Sequence, residues 1–165
     1  MAETFKRPLI AHFIDISQAS SYSSANWARL GVNVTSASIE YGAQTETNQD
    51  IVSDTATTEV TGYQSSISVS QKCTKDDDVF EFVNTLRLNR ATLSDAHTWA
   101  MNVDLWDTED DTTYTAEVQE VSIGITSYGG EGGAVPTLEY TINYIGDPVM
   151  GTATVTDGVP TFTAA

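Results

Sequence analysis

Beyond Arg90 the chain runs 75 residues to its last position without one Lys or Arg, yet it carries twelve Asp and Glu in that stretch. A charge block of one sign ordinarily stays solvated and disordered. Here the acids are interleaved with Val, Ile, Tyr, Trp and Leu at strand spacing, so the segment is constrained to fold as strands that present an acidic surface. Such a surface repels nucleic acid instead of capturing it.

The net charge of −16 arises from only 18% charged residues, so the surface cannot be a lattice of ion pairs. Neutral hydroxyls fill the gap: 39 of the 165 residues are Ser or Thr, and Thr favours a pleated, half-buried surface. The length suits one domain over residues 1–165, with a core that needs no staples. Cys73 is the only cysteine, which rules out an intrachain disulfide. The opening MAETFKRPLIAHF has no long apolar run behind Lys6-Arg7, and the reading is of a chain without signal peptide or membrane span, soluble when made.

Leu9–Ile16 reads as a first strand and Trp27 opens a second apolar stretch after a Ser-rich loop. From Ser36, Ala37, Ile39, Tyr41 and Ala43 point one way, and Ser38, Glu40, Gly42, Gln44 and Glu46 the other. A return strand sets Ile67, Val69 and Gln71 against Ser66, Ser68, Ser70 and Lys72, so the two pair as a long hairpin. Between them, residues 47–60 are long, polar and almost free of large apolar groups. They form either a mobile loop or an arm that reaches a neighbouring subunit. A helix is expected over about 76–89, capped by Thr74 or Asp76, with Val79, Phe82, Val83 and Leu86 as the stripe that docks on a sheet.

His97–Trp106 alternates cleanly, with Trp99, Met101, Val103 and Leu105 on one side and Thr98, Ala100, Asn102 and Asp104 on the other. In the next strand Tyr114, Ala116 and Val118 are even while Val121, Ile123 and Ile125 are odd, which calls for a bulge near Gln119 or Glu120. Leu138–Tyr144 alternates again, Gly146-Asp147-Pro148 reads as a turn, and Asp157-Gly158 as a tight hairpin. The fold class is mainly β: a sandwich or barrel with one flanking helix and a long projecting hairpin loop.

Catalytic constellations are thin. His12 and His97 are the only histidines, and no nucleophile elbow, zinc-protease, paired-cysteine or phosphate-loop spacing occurs. Asp76–Asp78 point in different directions on a helix start, and Asp107–Asp111 lacks the glycine and distant glutamate of a calcium loop, so no metal or cofactor is expected. Seven scattered basic residues make no nucleic-acid patch. The reading is of a non-enzyme with a structural or binding role. One form of the latter is an adhesin or carbohydrate-binding sandwich using Trp27, Trp99 or Trp106 as a stacking platform.

The hairpin around SASIEYGAQTETNQD, the wide polar loop, the return strand SSISVSQKC, the single helix DDDVFEFVNTLRLN and the later VQEVSIGITSYGGEGG stretch resemble the tail tube proteins of tailed phages, from about Trp27 to Thr156. The resemblance implies a virion protein made in the host bacterial cytoplasm, assembling as homo-hexameric rings stacked into a tube. It further implies a tape-measure protein and other tail proteins as partners, DNA passing through without specific binding, and no membrane binding. On that basis Ser38, Glu40, Gln44, Glu46, Ser66, Ser68, Ser70, Glu117 and Glu139 would line the lumen. Asn48, Asp50, Ile51, Asp54 and Thr57 would form the contact between rings.

Overall fold

A computed structural model describes residues 1–165. Ten strands flank one helix: β1 (Ile10–Asp15), β2 (Trp27–Leu30), β3 (Ile39–Glu40), β4 (Ala43–Asn48), β5 (Thr57–Tyr63), β6 (Ser66–Lys72), α1 (Asp78–Asn89), β7 (His97–Thr108), β8 (Thr113–Gly129), β9 (Thr137–Thr156) and β10 (Val159–Ala164). Eight strands form one antiparallel sheet in the order β2-β1-β7-β8-β9-β6-β3, with β10 paired to β9, while β4 and β5 form a separate ribbon. The mainly-β class with a single helix is therefore as the sequence reads. The sheet path has two free ends, β2 and β3, so it stays open within one chain.

The helix starts two residues later than its periodicity suggests. Asp77, not Thr74 or Asp76, is the cap, its carboxylate accepting from the Phe80 N–H at 2.9 Å. At the other end Arg90 adopts φ 49° and closes the last turn. Val79, Val83 and Leu86 are buried and Phe82 is half-buried against the same cluster, so the stripe docks as expected. Each fully buried side chain contributes about 1.5–3 kcal/mol.

Apolar residues are buried on both faces of the sheet. On the helix side, Ile14, Ala100, Val121, Ile123, Leu138, Tyr140 and Ile142 pack with Ile67, Val69 and α1. On the reverse, Ala11, Phe13, Met101, Val103, Ala116, Val118 and Ala153 form a second cluster, flanked by Tyr22, Trp99 and Phe162. This explains why Thr98, Ala100 and Asn102, placed by alternation on a polar face of β7, are all buried. The parity change in β8 has the same origin. Against β7 the pairing runs without interruption from Met101–Val118 to Thr98–Val121, so the even residues serve the second core and the odd ones the first. The register shift at Gln119 does exist, but against β9.

Opposite that shift lie Gly146-Asp147-Pro148, which do not turn the chain. Strand β9 continues through them as a bulge, with Gly146 at φ 67° and the Gln119 amide donating to the Gly146 carbonyl at 2.7 Å. A left-handed glycine and a proline without an N–H are both tolerated where the ladder is already broken. Asp157 and Gly158, at φ 51° and 79°, make the tight β9–β10 turn foreseen from the dipeptide.

The long first hairpin is interrupted. Ile39 and Glu40 pair with Ile67 and Ser66 as the alternation requires. Gly42 then adopts φ 57° beside the Gln64 carbonyl, a place that a Cβ would enter, and the chain leaves the sheet. Residues 47–60 are consequently not one loop: Thr47, Asn48 and residues 57–60 are paired in the β4–β5 ribbon, which is exposed over nearly its whole length, and residues 49–56 form its turn.

Candidate functional surfaces

Alternation along β6 buries Ile67, Val69 and Gln71 and turns Ser68, Ser70 and Lys72 to solvent. Because antiparallel partners share a face, the register extends this surface row by row. Glu40 lies opposite Ser66, Ser66 opposite Asn143, Asn143 opposite Ser122 and Ser122 opposite His97. The next row runs Ser68, Thr141, Gly124; the next Ser70, Glu139, Ser127; the last Lys72, Thr137, Gly129. The result is a wall of small hydroxyls and amides with Glu40 and Glu139 spaced among them. The Ser127 hydroxyl donates to the Glu139 carboxylate at 3.0 Å, and His97 meets Glu120 at 3.1 Å.

Of the residues proposed for a lining, this wall brings together Glu40, Ser66, Ser68, Ser70 and Glu139. Ser38 is exposed just ahead of β3. Gln44 and Glu46 stand on the ribbon, beyond the Gly42 break, and are not continuous with the wall. Glu117 sits between Ala116 and Val118 of the second core, so it points to the opposite face. The sequence could not separate it from Glu139, because parity within one strand does not say which face of the sheet is covered.

Glu117 instead belongs to a half-buried polar cluster. Arg7 donates to His12 Nε2 at 2.9 Å and to the Ala37 carbonyl at 2.9 Å, while His12 Nδ1 faces Asn102 Oδ1 at 2.7 Å. With Arg7 a donor on one side, the ring is neutral and carries its proton on Nδ1. Burial holds His12 below the ordinary imidazole range, against the opposing pull of the Asn102 hydrogen bond. The Asn102 amide donates to Glu117 at 3.2 Å and to the Tyr144 hydroxyl at 3.0 Å. Burial pushes Tyr144 up to about 12 and, with Asp107 beside it, raises Asp104. Both ring nitrogens of His12 are engaged, which leaves no free base there. No group of three or more His, Cys, Asp or Glu is placed to hold a metal ion.

The ribbon carries the other set of residues. Asn48 and Thr57 are its last paired positions, and Asp50, Ile51 and Asp54 lie in the turn beyond them. Ile51 and Val52 are 105% and 89% exposed. Glu46 stands directly opposite Glu59, a like-charge pair that weakens the ribbon. An isolated two-stranded ribbon is marginal in water.

Trp27 and Trp99 pack against the second core, and Trp106 is the most accessible of the three at 47% exposed. Trp106 is stacked on Phe5 with centroids 5.0 Å apart, and Trp99 donates to the Ala19 carbonyl at 3.0 Å while packing edge-on against Tyr22. No helix is long and apolar enough to cross a membrane.

No protein-family model matches this sequence, and no curated protein matches it. Among solved structures the chain is similar to one from the tail of an empty gene transfer agent particle, a phage-like particle, computed with helical refinement and C6 symmetry. The two share 14% identity, with a TM-score of 0.61 over 89% of this chain and 98% of the other. At that identity the likeness is one of fold.

Proposed function

We propose that this chain is a structural virion subunit whose copies close into hexameric rings and stack into a phage tail tube. The observation that carries the reading is the shared fold with a C6-symmetric, helically arranged tail, matched over nearly all of both chains. The open sheet ends β2 and β3 suit closure by neighbours, since a ring pairs edges that a monomer leaves exposed. In this arrangement the wall of Ser66, Ser68, Ser70, Glu40 and Glu139 lines the lumen. Basic groups would bind the passing duplex through counterion release at every step. Hydroxyls with spaced carboxylates give a hydrated, weakly repulsive surface instead, along which DNA slides without specific binding. Lys72, at the edge of the wall, is its one cation. A tape-measure protein and other tail proteins would be its partners.

Electron microscopy of concentrated protein across a salt series tests this. Rings and tubes are the expected result. Monodisperse monomers under every condition would overturn it.

A further inference from the structure

None of the seven Lys and Arg side chains forms an ion pair, although the chain carries 23 acids. Two of these unneutralised cations, Arg7 and Arg29, border a single depression of about 420 Å³ whose floor includes Pro8, Ile10, Leu30 and Val32. Arg29 donates to one backbone carbonyl, that of Pro8, at 3.0 Å. Most of its five N–H donors therefore remain available. Val32 is 52% exposed, so the apolar floor reaches solvent.

The ribbon tip is the complement of this depression. Its turn is closed by Ser53 N–H donating to the Asp50 carbonyl at 3.1 Å and by the Gln49 amide donating to the Ser53 carbonyl at 3.0 Å. That turn presents Ile51 and Val52 between Asp50 and Asp54: two aliphatic side chains flanked by two carboxylates. Their near-complete exposure means that neither aliphatic side chain is covered by its own chain.

We infer that the tip Asp50–Asp54 of one copy docks into the Arg7–Arg29 depression of a second copy, Ile51 and Val52 covering the apolar floor and one aspartate pairing with the free donors of Arg29, since Arg7 is already held by Ile10, Ala37 and His12. This rests on the tube reading above, to which it adds the receptor for the arm. The other basic depression, beside Arg87 and Arg90, is the rival receptor, which the experiment below separates from this one. There Arg87 already lies 3.9 Å over the Tyr128 ring and donates to Asn84 at 2.9 Å.

Cysteine crosslinking tests the contact. In a Cys73→Ser background, Ile51→Cys combined with Val32→Cys should give an oxidant-dependent ladder of covalent oligomers, whereas each single variant stops at dimers. Arg29→Asp should raise the critical concentration for assembly about tenfold, the loss of one charge-assisted contact. Adding a single reversal at the tip, Asp50→Arg or Asp54→Arg, should restore it. A ladder from Ile51→Cys with Ile125→Cys, beside the helix end, or tubes that give no ladder with either pair, would refute the docking and leave the tube reading intact. Absence of oligomers from the unmodified chain at any salt would refute both.

Discussion

Gln71 is wholly buried on the apolar face of β6 and ties three elements together. Its amide donates to the Val32 carbonyl at 3.1 Å and to the Asp77 carboxylate at 2.8 Å, and its carbonyl accepts from the Tyr140 hydroxyl at 3.1 Å. Asp77 in turn caps α1, so this one side chain joins the sheet, the helix start and the β2–β3 connection. Gln71→Leu preserves volume but removes all three contacts. The hydrogen bond to a carboxylate is worth about 1.5–3 kcal/mol, and the stranded hydroxyl of Tyr140, 1% exposed, costs about 1–3 kcal/mol more. Part of this is offset by the apolar gain of leucine, and the net loss should be about 3 kcal/mol. With a urea m-value of about 2 kcal/mol/M the midpoint falls by about 1.5 M. Tyr140→Phe added to Gln71→Leu removes the stranded group, so the double variant should be about 1–2 kcal/mol more stable than additivity allows. Urea unfolding followed by tryptophan fluorescence, on protein shown monomeric by sedimentation, reads both quantities. A loss under about 0.5 kcal/mol for Gln71→Leu, or strict additivity of the pair, would refute the reasoning.

His12 is neutral in the folded chain and lies below its ordinary value of 6.5, so the unfolded chain binds the extra proton. Stability should therefore hold above about pH 6.5 and fall below it, by up to about 1.4 kcal/mol per pH unit, and His12→Gln should flatten that slope in urea midpoints measured from pH 8 to 5. Gly42→Ala should cost about 1–3 kcal/mol in the same assay, since an alanine there is forced to positive φ against the Gln64 carbonyl. Assembly should strengthen with added salt, because −16 per copy and the Glu46–Glu59 pair are screened; sedimentation showing it weaken would mean that interface ion pairs dominate. Assembled tubes carrying Ser68→Lys and Ser70→Lys should retain short duplex DNA at low salt and release it at high salt, whereas unmodified tubes should retain none in a filter assay.

Local pattern determined a good deal of this protein. Period-two alternation placed β6, β7 and the first half of β9, the stripe from Val79 to Leu86 gave the helix and its docked face, and Asp157-Gly158 set the last hairpin, because each signal depends on neighbours a few residues apart. It also exposed the scarcity of positive charge that shapes the functional reading. Tertiary structure decided the rest. Alternation states that two sets of residues point apart, but not that both sides are covered, so the second core around Met101 and Val118, the burial of Asn102 and the turning of Glu117 away from Glu139 had no signature in the strand itself. The breaks at Gly42 and Gly146 likewise depend on what the backbone meets across the sheet. Arg7 and Arg29 lie 22 residues apart in the chain, and only the fold sets them on one depression without a carboxylate partner.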